Sequence, residues 1–233
     1  MLNGCEVLFE RNILHWQSHN SIRAKSFVAQ ITTIFLDVGG VLLTNGWDSA
    51  ARQAAVTKFS LDAKEFEARH EMAFPPFETG QTTLDQYLER TIFYTKRAYS
   101  PEAFTQFMYS VSRELPESRA VADRVAATGR YLMAALNNEG AELNDYRIRQ
   151  FDLKRIFTAF FSSCYVGARK PNRPIYEMAL HVTQRRPEEC LFVDDREQNV
   201  EPARQLGMNA IQFQNAAQLE ADLRKLGIEF RRI

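Results

Sequence analysis

An apolar run that ends in an acid and two glycines limits the possible folds of this chain more than any other segment. Residues 31–36 are apolar or β-branched and lead directly into Asp37, Val38, Gly39 and Gly40. A buried parallel strand has this pattern, and a Gly-Gly pair lets the backbone turn tightly and approach a ligand. The segment therefore predicts an acidic side chain delivered from a buried strand into a cleft.

Similar apolar runs recur along the chain, separated by amphipathic helical patterns. The further runs lie at 131–136, 156–161, 190–193 and 210–213. The first of these ends at Asn137-Asn138, and the third ends at Asp194-Asp195. Strands that alternate with helices predict an α/β fold with a doubly wound parallel sheet. Because strand ends meet at a shared crevice in such sheets, these polar residues and Asp37 are expected to lie together.

Helical signals fill the stretch between the first two runs, which contains no convincing strand. Ser100 followed by Pro101 is a typical helix start, and Thr83 with Gln86 fits a capping box. We expect residues 47–116 to form a small all-helical cap domain, inserted after the first strand to cover the site and select substrates. The remaining α/β core then comprises residues 31–46 and 117–233.

Composition and charge exclude several classes of protein. Lys and Arg number 29 and Asp and Glu number 29, so we expect neither a dedicated nucleic-acid binder nor a polybasic membrane tail. No segment approaches the ~20 consecutive apolar residues of a membrane helix. Cys5, Cys164 and Cys190 lack metal-ligand spacing and indicate reduced thiols in a cytoplasmic protein. Residues 1–30 lack a signal-peptide core and are interpreted as an N-terminal extension.

Three further motifs carry candidate chemistry, although each alone also fits an ordinary polar turn. Adjacent carboxylates at Asp194 and Asp195 repel each other unless a cation neutralises them, and hard oxygen ligands suit Mg²⁺. Lys170 can neutralise a phosphate or a carboxylate nucleophile. The amides of Asn137 and Asn138 could bind phosphate oxygens.

In this order and after these strands, the four motifs resemble those of the haloacid dehalogenase-like hydrolase superfamily. The resemblance runs from Ile31 to Phe213 and includes the position of the cap. Residues 194–208 look most like the phosphatase domain of bifunctional epoxide hydrolases, and they are also similar to bacterial sugar-1-phosphate phosphatases. Residues 78–82 are similar to a cap segment of the same branch. The resemblance implies a Rossmann-like core and hydrolytic activity.

The resemblance also implies roles for individual residues. Asp37 would attack phosphorus to form an aspartyl-phosphate, which water then hydrolyses. Mg²⁺ would be held by Asp37, the backbone carbonyl of Gly39 and the Asp194-Asp195 pair, while Lys170 stabilises charge on the transferring group. The implied substrate-binding residues are Asn137, Asn138 and Lys170. The expected partner is a small phosphorylated metabolite, and we expect the chain to be a monomer or a homodimer.

Two positions depart from the family pattern. Its phosphatases place a second Asp two residues after the nucleophile, as general acid and base, where this chain has Gly39. A missing acid costs about 10²- to 10⁴-fold where the leaving group needs a proton, so anomeric sugar phosphates and acyl phosphates would suffer least. Asn137 stands where the family has Ser or Thr, which moves the hydrogen-bond donor.

Three functions remain compatible with these residues. The favoured one is a Mg²⁺-dependent phosphatase that acts on a small organic phosphate. A 2-haloacid dehalogenase, in which Asp37 attacks carbon without a metal, is disfavoured because its fourth motif is rich in Ser and Asn where this chain has Asp194-Asp195. A catalytically weakened binding protein on the same scaffold is consistent with Gly39 and Asn137.

Overall fold

A five-stranded parallel sheet forms the centre of the chain in the computed structural model, which describes residues 29–231. The strands are β1 (Thr33–Leu36), β2 (Leu132–Asn137), β3 (Ala159–Ser162), β4 (Cys190–Asp194) and β5 (Asn209–Gln212). Their order across the sheet is β3-β2-β1-β4-β5. The direction of the chain across the sheet reverses between β1 and β4, and ligands of such folds bind at that switch point. The predicted extension over 1–30 lies almost wholly outside the described residues.

Helices surround the sheet and fill the stretch after β1. The helices are α1 (Ser49–Phe59), α2 (Ala63–Glu78), α3 (Leu84–Thr91), α4 (Pro101–Ser110), α5 (Pro116–Ala126), α6 (Ala141–Gln150), α7 (Ser163–Val166), α8 (Arg173–Thr183), α9 (Glu197–Gln205) and α10 (Ala216–Lys225). The predicted starts are confirmed, because the Ser100 side chain caps α4 and Thr83 with Gln86 forms a capping box on α3. The predicted α/β fold class is confirmed as well.

One predicted strand begins later than the apolar pattern over 156–161 suggested. Only Ala159–Ser162 pairs with β2, as β3. Ile156 and Phe157 instead follow a short 3₁₀ turn, and the amides of both residues donate to the carbonyl of Leu153. Both side chains are buried in the core, so their apolar character serves packing beneath the sheet and not strand pairing.

The sheet has one buried apolar cluster on each face, and the helices after β1 enclose a third apolar cluster. Alternate residues of β1 face opposite sides, with Ile34 and Leu36 in one layer and Phe35 in the other. Helices α1–α4 enclose an aromatic cluster that extends from Trp47 to Met108. The division into core and cap at the bounds given above stays a prediction. Within residues 29–231, no helix is long and apolar enough to cross a membrane.

Candidate active site

Two carboxylates meet at the ends of the central strands. Asp37 follows β1 and Asp194 ends β4, and the backbone amide of Asp37 donates to the carbonyl of Val193 at 2.9 Å. Together with Asp195, these residues place carboxylate oxygens within 4.8 Å of one another. The sequence-based expectation that the acids converge at one edge of the sheet is therefore met.

Lys170 lies between the two buried carboxylates. Its Nζ is 3.0 Å from Oδ1 of Asp37 and 2.6 Å from Oδ2 of Asp194. The Lys170 backbone is held by the side chain of Asn138, which accepts from the Lys170 amide and donates to its carbonyl, both at 2.9 Å. Asn138 thus fixes the loop that carries the cation.

Asp194 and Asp195 occupy different environments although they are neighbours in sequence. Asp194 is fully buried and accepts from Lys170, from the side-chain amide of Asn199 and from the backbone amide of Arg196. By contrast, Oδ1 of Asp195 is buried and has no hydrogen-bond partner among the described residues. An orphaned carboxylate oxygen beside Asp37 fits a hard divalent cation such as Mg²⁺, whereas Asp194 holds Lys170.

The second glycine of the pair permits this arrangement. Gly40 has a positive φ of 76°, and a Cβ built on it would lie 2.3 Å from Oδ2 of Asp195. Only glycine accepts both the left-handed backbone and the close approach of the carboxylate. The Gly-Gly pair predicted to allow a ligand close to the backbone therefore allows the approach of Asp195.

Burial shifts the protonation equilibria of the site. It raises the pKa of Asp37 from 3.8 to about 7, with a smaller upward contribution from the charge of Asp194 and opposition from Lys170. Burial and the charge of Asp194 also raise the pKa of Asp195. Burial disfavours the charged form of Lys170, but the two carboxylates outweigh it and raise the pKa of this amine. A bound cation would restore full ionisation of the acids near neutral pH.

Replacing Asp195 by Asn is expected to abolish the stabilisation that Mg²⁺ confers. A metal that binds at this site and is present at 100 times its dissociation constant would raise the free energy of unfolding of the wild type by about 2.7 kcal/mol. The variant loses the orphaned ligand, so its melting temperature should not respond to Mg²⁺. Thermal melts with Mg²⁺ and with EDTA measure this. As a control, Asp222→Asn removes a surface acid paired with Lys225 and should keep the full Mg²⁺ response, and a response retained by Asp195→Asn would contradict this metal site.

A cavity of about 390 Å³ opens over Asp37. The helical segment contributes Trp47, Arg52 and Phe74 to its wall. Arg52 is oriented by Glu67, whose Oε1 accepts from its Nε at 2.9 Å. The cavity therefore joins the acidic strand ends to an aromatic and cationic wall contributed by the helical segment after β1.

The structure brings most predicted site residues to this cavity. Those that line it are Asp37, Gly39, Asn138 and Lys170, and Asp194 and Asp195 lie against Asp37. Asn137 does not line the cavity. Its amide instead donates to Asn144 at 3.0 Å and accepts from the hydroxyl of Ser162 at 2.7 Å, in a closed buried network. The phosphate-binding role implied for Asn137 therefore has no support in the geometry.

Sequence reasoning missed a buried ion pair in the cavity wall. Nη1 of Arg147 donates to Oε2 of Glu139 at 2.8 Å, and both side chains are buried. Nη2 of Arg147 also donates to the carbonyl of Thr44. The available signal was the buried face of α6, on which Asn144 and Arg147 lie among apolar residues. Polar residues on a buried helix face are uncommon without a partner or a function.

The chain belongs to the haloacid dehalogenase-like hydrolase family, whose family model matches residues 31–207. The resemblance found in its motifs is thereby confirmed. Among curated proteins, the chain is 29% identical to flavin mononucleotide hydrolase 1 of Arabidopsis thaliana over 171 residues, which are 73% of this chain and 69% of that protein. It is also 36% identical to bifunctional epoxide hydrolase 2 of Mus musculus over 80 residues, which are 34% of this chain and only 14% of that protein.

Solved structures of the family share the fold at low identity. A HAD family enzyme from Bacteroides thetaiotaomicron, in a magnesium complex, aligns with a TM-score of 0.71 at 18% identity, over 83% of this chain and 98% of that one. An L-2-haloacid dehalogenase aligns with a TM-score of 0.55 at 20% identity, over 77% of this chain and 83% of that one. These likenesses extend to both phosphate-binding and dehalogenase structures, so the particular activity has to be argued from the site.

Proposed function

We propose that the chain is a Mg²⁺-dependent phosphatase that hydrolyses a small organic phosphate through an aspartyl-phosphate on Asp37. The observation that carries the proposal is the pairing of Asp37 with Lys170, beside an orphaned oxygen of Asp195 and under a cavity. The name of the Arabidopsis relative, a flavin mononucleotide hydrolase, supports a phosphate ester as substrate. A Bacteroides structure with magnesium and inorganic phosphate supports the same chemistry.

In the proposed reaction, a carboxylate oxygen of Asp37 forms a bond to phosphorus while the bond to the leaving oxygen breaks. Lys170 holds the nucleophile and places positive charge beside the transferring phosphoryl group. Asp194 and Asn138 keep Lys170 in position through the contacts described above. When bound, Mg²⁺ would be held by Asp37, Asp195 and the carbonyl of Gly39 and would supply charge stabilisation to the phosphoryl oxygens.

The dehalogenase alternative fits the site less well. A haloacid is an anion, and its reaction with Asp37 needs no metal. Asp194 and Asp195 would then place two further carboxylates near an anionic substrate, with Oδ1 of Asp195 unpaired and buried. Like charges held close together disfavour each other's ionised forms unless a cation neutralises them, so the paired acids favour the metal-dependent reaction.

Substrate selection would depend on the cap side of the cavity. Trp47 and Phe74 offer aromatic surface and Arg52 offers a guanidinium group to the part of the substrate beyond the phosphate. Flavin mononucleotide, sugar 1-phosphates and acetyl phosphate therefore belong in the first substrate panel. The cytoplasmic location and the monomeric or homodimeric state stay predictions.

Phosphate release from this panel is expected to require Mg²⁺ and to stop when EDTA is added. The purified protein is assayed with each phosphate, and 2-chloropropionate is included in parallel with halide release as the readout. Halide release without phosphate release would indicate a dehalogenase. If every substrate stays intact while Mg²⁺ still raises the melting temperature, the chain is a binding protein on a hydrolase scaffold and the proposal fails.

A further inference from the structure

The residue two positions after the nucleophile, Gly39, cannot transfer a proton. Gly39 has no side chain, although a phosphatase of this kind must protonate its leaving group and deprotonate water. A Cβ built on Gly39 would lie 3.1 Å from Oδ1 of Asn45 and 3.7 Å from Nη1 of Arg147. The space beside Gly39 is therefore bordered by Asn45 of the same loop and by Arg147 of α6, and neither an amide nor a guanidinium transfers protons readily near neutral pH.

Arg147 connects this space to Glu139. Its Nη1, which borders the space at Gly39, is the atom that donates to Oε2 of Glu139 at 2.8 Å. The other carboxylate oxygen, Oε1, has only a long contact of 3.3 Å from the amide of Gly140. A Cβ on Gly46 would lie 2.7 Å from Oε2 of Glu139, so this loop residue also has to be small. One oxygen of Glu139 is anchored and the other retains capacity for a further hydrogen bond.

Glu139 is the best placed carboxyl group for this role among the described residues. Besides Asp37, the acids that line the cavity are Asp48 and Glu139. Asp48 is the N-cap of α1, and its Oδ1 accepts from the amide of Ala51 at 2.8 Å. Glu139 caps no helix through its side chain, and its backbone amide is fixed by the hydroxyl of Ser163 at 3.0 Å.

We propose that Glu139 is the catalytic residue that transfers the proton, in place of an acid at Gly39, and that Arg147 is its positioning residue. This inference rests on the proposed phosphatase function. In the first step, Asp37 bonds to phosphorus, the bond to the leaving oxygen breaks, and that oxygen takes the proton of Glu139. In the second step, Glu139 takes a proton from a water molecule while the oxygen of that water bonds to phosphorus. The electron pair returns to the Asp37 carboxylate, and phosphate and a protonated Glu139 result.

The surroundings of Glu139 favour a proton at this site. Burial raises the pKa of Glu139, opposed by the charge and hydrogen bond of Arg147 from α6 and assisted by Glu78 at the end of α2. Glu78 itself pairs with Arg169 at 2.7 Å. Burial above all, and the charge of Glu139, raise the pKa of the Cys164 thiol on α7. The cavity wall that holds Glu139 also contains the charged groups of Asp37, Asp48, Arg52 and Lys170.

A proton donor at Glu139 widens the substrate class. Gly39 alone would confine the enzyme to phosphates whose leaving groups depart without protonation, such as acyl phosphates. With Glu139 as acid, phosphates of ordinary alcohols become substrates, because the departing alkoxide is protonated as it leaves. Glycerol phosphate and p-nitrophenyl phosphate therefore distinguish the two situations.

Glu139→Gln tests the inference. Two of its readouts, a burst of p-nitrophenolate and the accumulation of phosphoenzyme, would not be produced by a purely structural role of Glu139. Steady-state turnover of both substrates should fall by about 10²- to 10⁴-fold. With p-nitrophenyl phosphate, the first step needs no proton but the second still does, so the variant should release a burst of about one equivalent of p-nitrophenolate and accumulate acid-stable phosphoenzyme. With glycerol phosphate, the variant should accumulate no phosphoenzyme.

Glu142→Gln is the matched control, because Glu142 lies in the first turn of α6, three residues after Glu139, and its Oε1 accepts from the backbone amide of Leu84 at 3.0 Å. It should behave like the wild type. A Glu139→Gln variant without the burst and with equal losses on both substrates overturns the inference while the phosphatase stands. A wild type that hydrolyses acetyl phosphate but not glycerol phosphate also overturns the inference alone, and a wild type that hydrolyses no phosphate of either panel overturns both. Should Glu139→Gln not fold, the wild type decides, because kcat/KM for glycerol phosphate alone should fall at high pH.

Discussion

Replacing Asp37 by Asn is expected to reduce phosphate release by about 10⁴-fold or more, the magnitude seen when the nucleophile of a covalent mechanism is removed. The amide keeps the size of the carboxylate but does not form the aspartyl-phosphate. Lys170 keeps its shorter contact with Asp194, at 2.6 Å, so the fold should persist. Steady-state phosphate release and acid-quench trapping of the phosphoenzyme measure the loss, and retained turnover would place the nucleophile elsewhere.

In EDTA, Asp37→Asn should be no less stable than the wild type near neutral pH. The difference in stability between the two proteins should also depend on pH, in the variant's favour as the pH rises. The pKa of Asp37 is raised on folding from 3.8 to about 7, so the folded state holds this proton more tightly than the unfolded state. The corresponding stability is present below about pH 4 and is lost as the pH rises to about 7. The melting temperature of Asp37→Asn relative to the wild type should therefore rise across this window. A variant that loses stability there would show that the Asp37 charge supports the fold.

The strand ends were predictable because buried parallel strands leave a local pattern. Asp37 and Asp194 each follow an apolar run, and the topology of such sheets brings strand ends together without further information. Lys170 followed from family resemblance and not from its surroundings, since a Lys before a Pro usually lies in a solvated loop. The structure adds the reason for its position, which is the reciprocal pair of hydrogen bonds with Asn138.

Two features of the site could not be predicted from the sequence. One is the side of the sheet that each side chain faces at a strand end, and the other is a contact between residues far apart in sequence. Neighbouring positions at a strand end face opposite sides, and this separates Asn138, at the cavity, from Asn137, in the buried network with Ser162. Arg147 reaches the site because its position on the buried face of α6 lets its guanidinium donate to the carbonyl of Thr44, 103 residues away in sequence. No local pattern encodes such a contact.

Replacing Lys170 by Met is expected to lower both stability and activity. Asp37 and Asp194 would then face each other in a buried site without their shared cation, and breaking a buried pair in this way costs about 3–5 kcal/mol of unfolding free energy. For a chain of this size that loss lowers the melting temperature by about 10 °C. Turnover should fall by about 10³-fold or more, because the charge beside the transferring phosphoryl group is gone. Thermal melts and phosphate release measure the two effects.

Two further variants separate charge from packing at Lys170. Lys225→Met removes an exposed Lys that pairs with Asp222 at 2.7 Å, and it should change the free energy of unfolding by less than about 0.5 kcal/mol. Adding Asp37→Asn to Lys170→Met removes one of the two opposed carboxylates, so the double variant should recover part of the lost stability and none of the activity. Such coupling is expected only of groups in direct contact. If the two substitutions instead lowered stability additively, the repulsion between Asp37 and Asp194 would not be the cause of the loss, and Lys170 would act mainly by filling space.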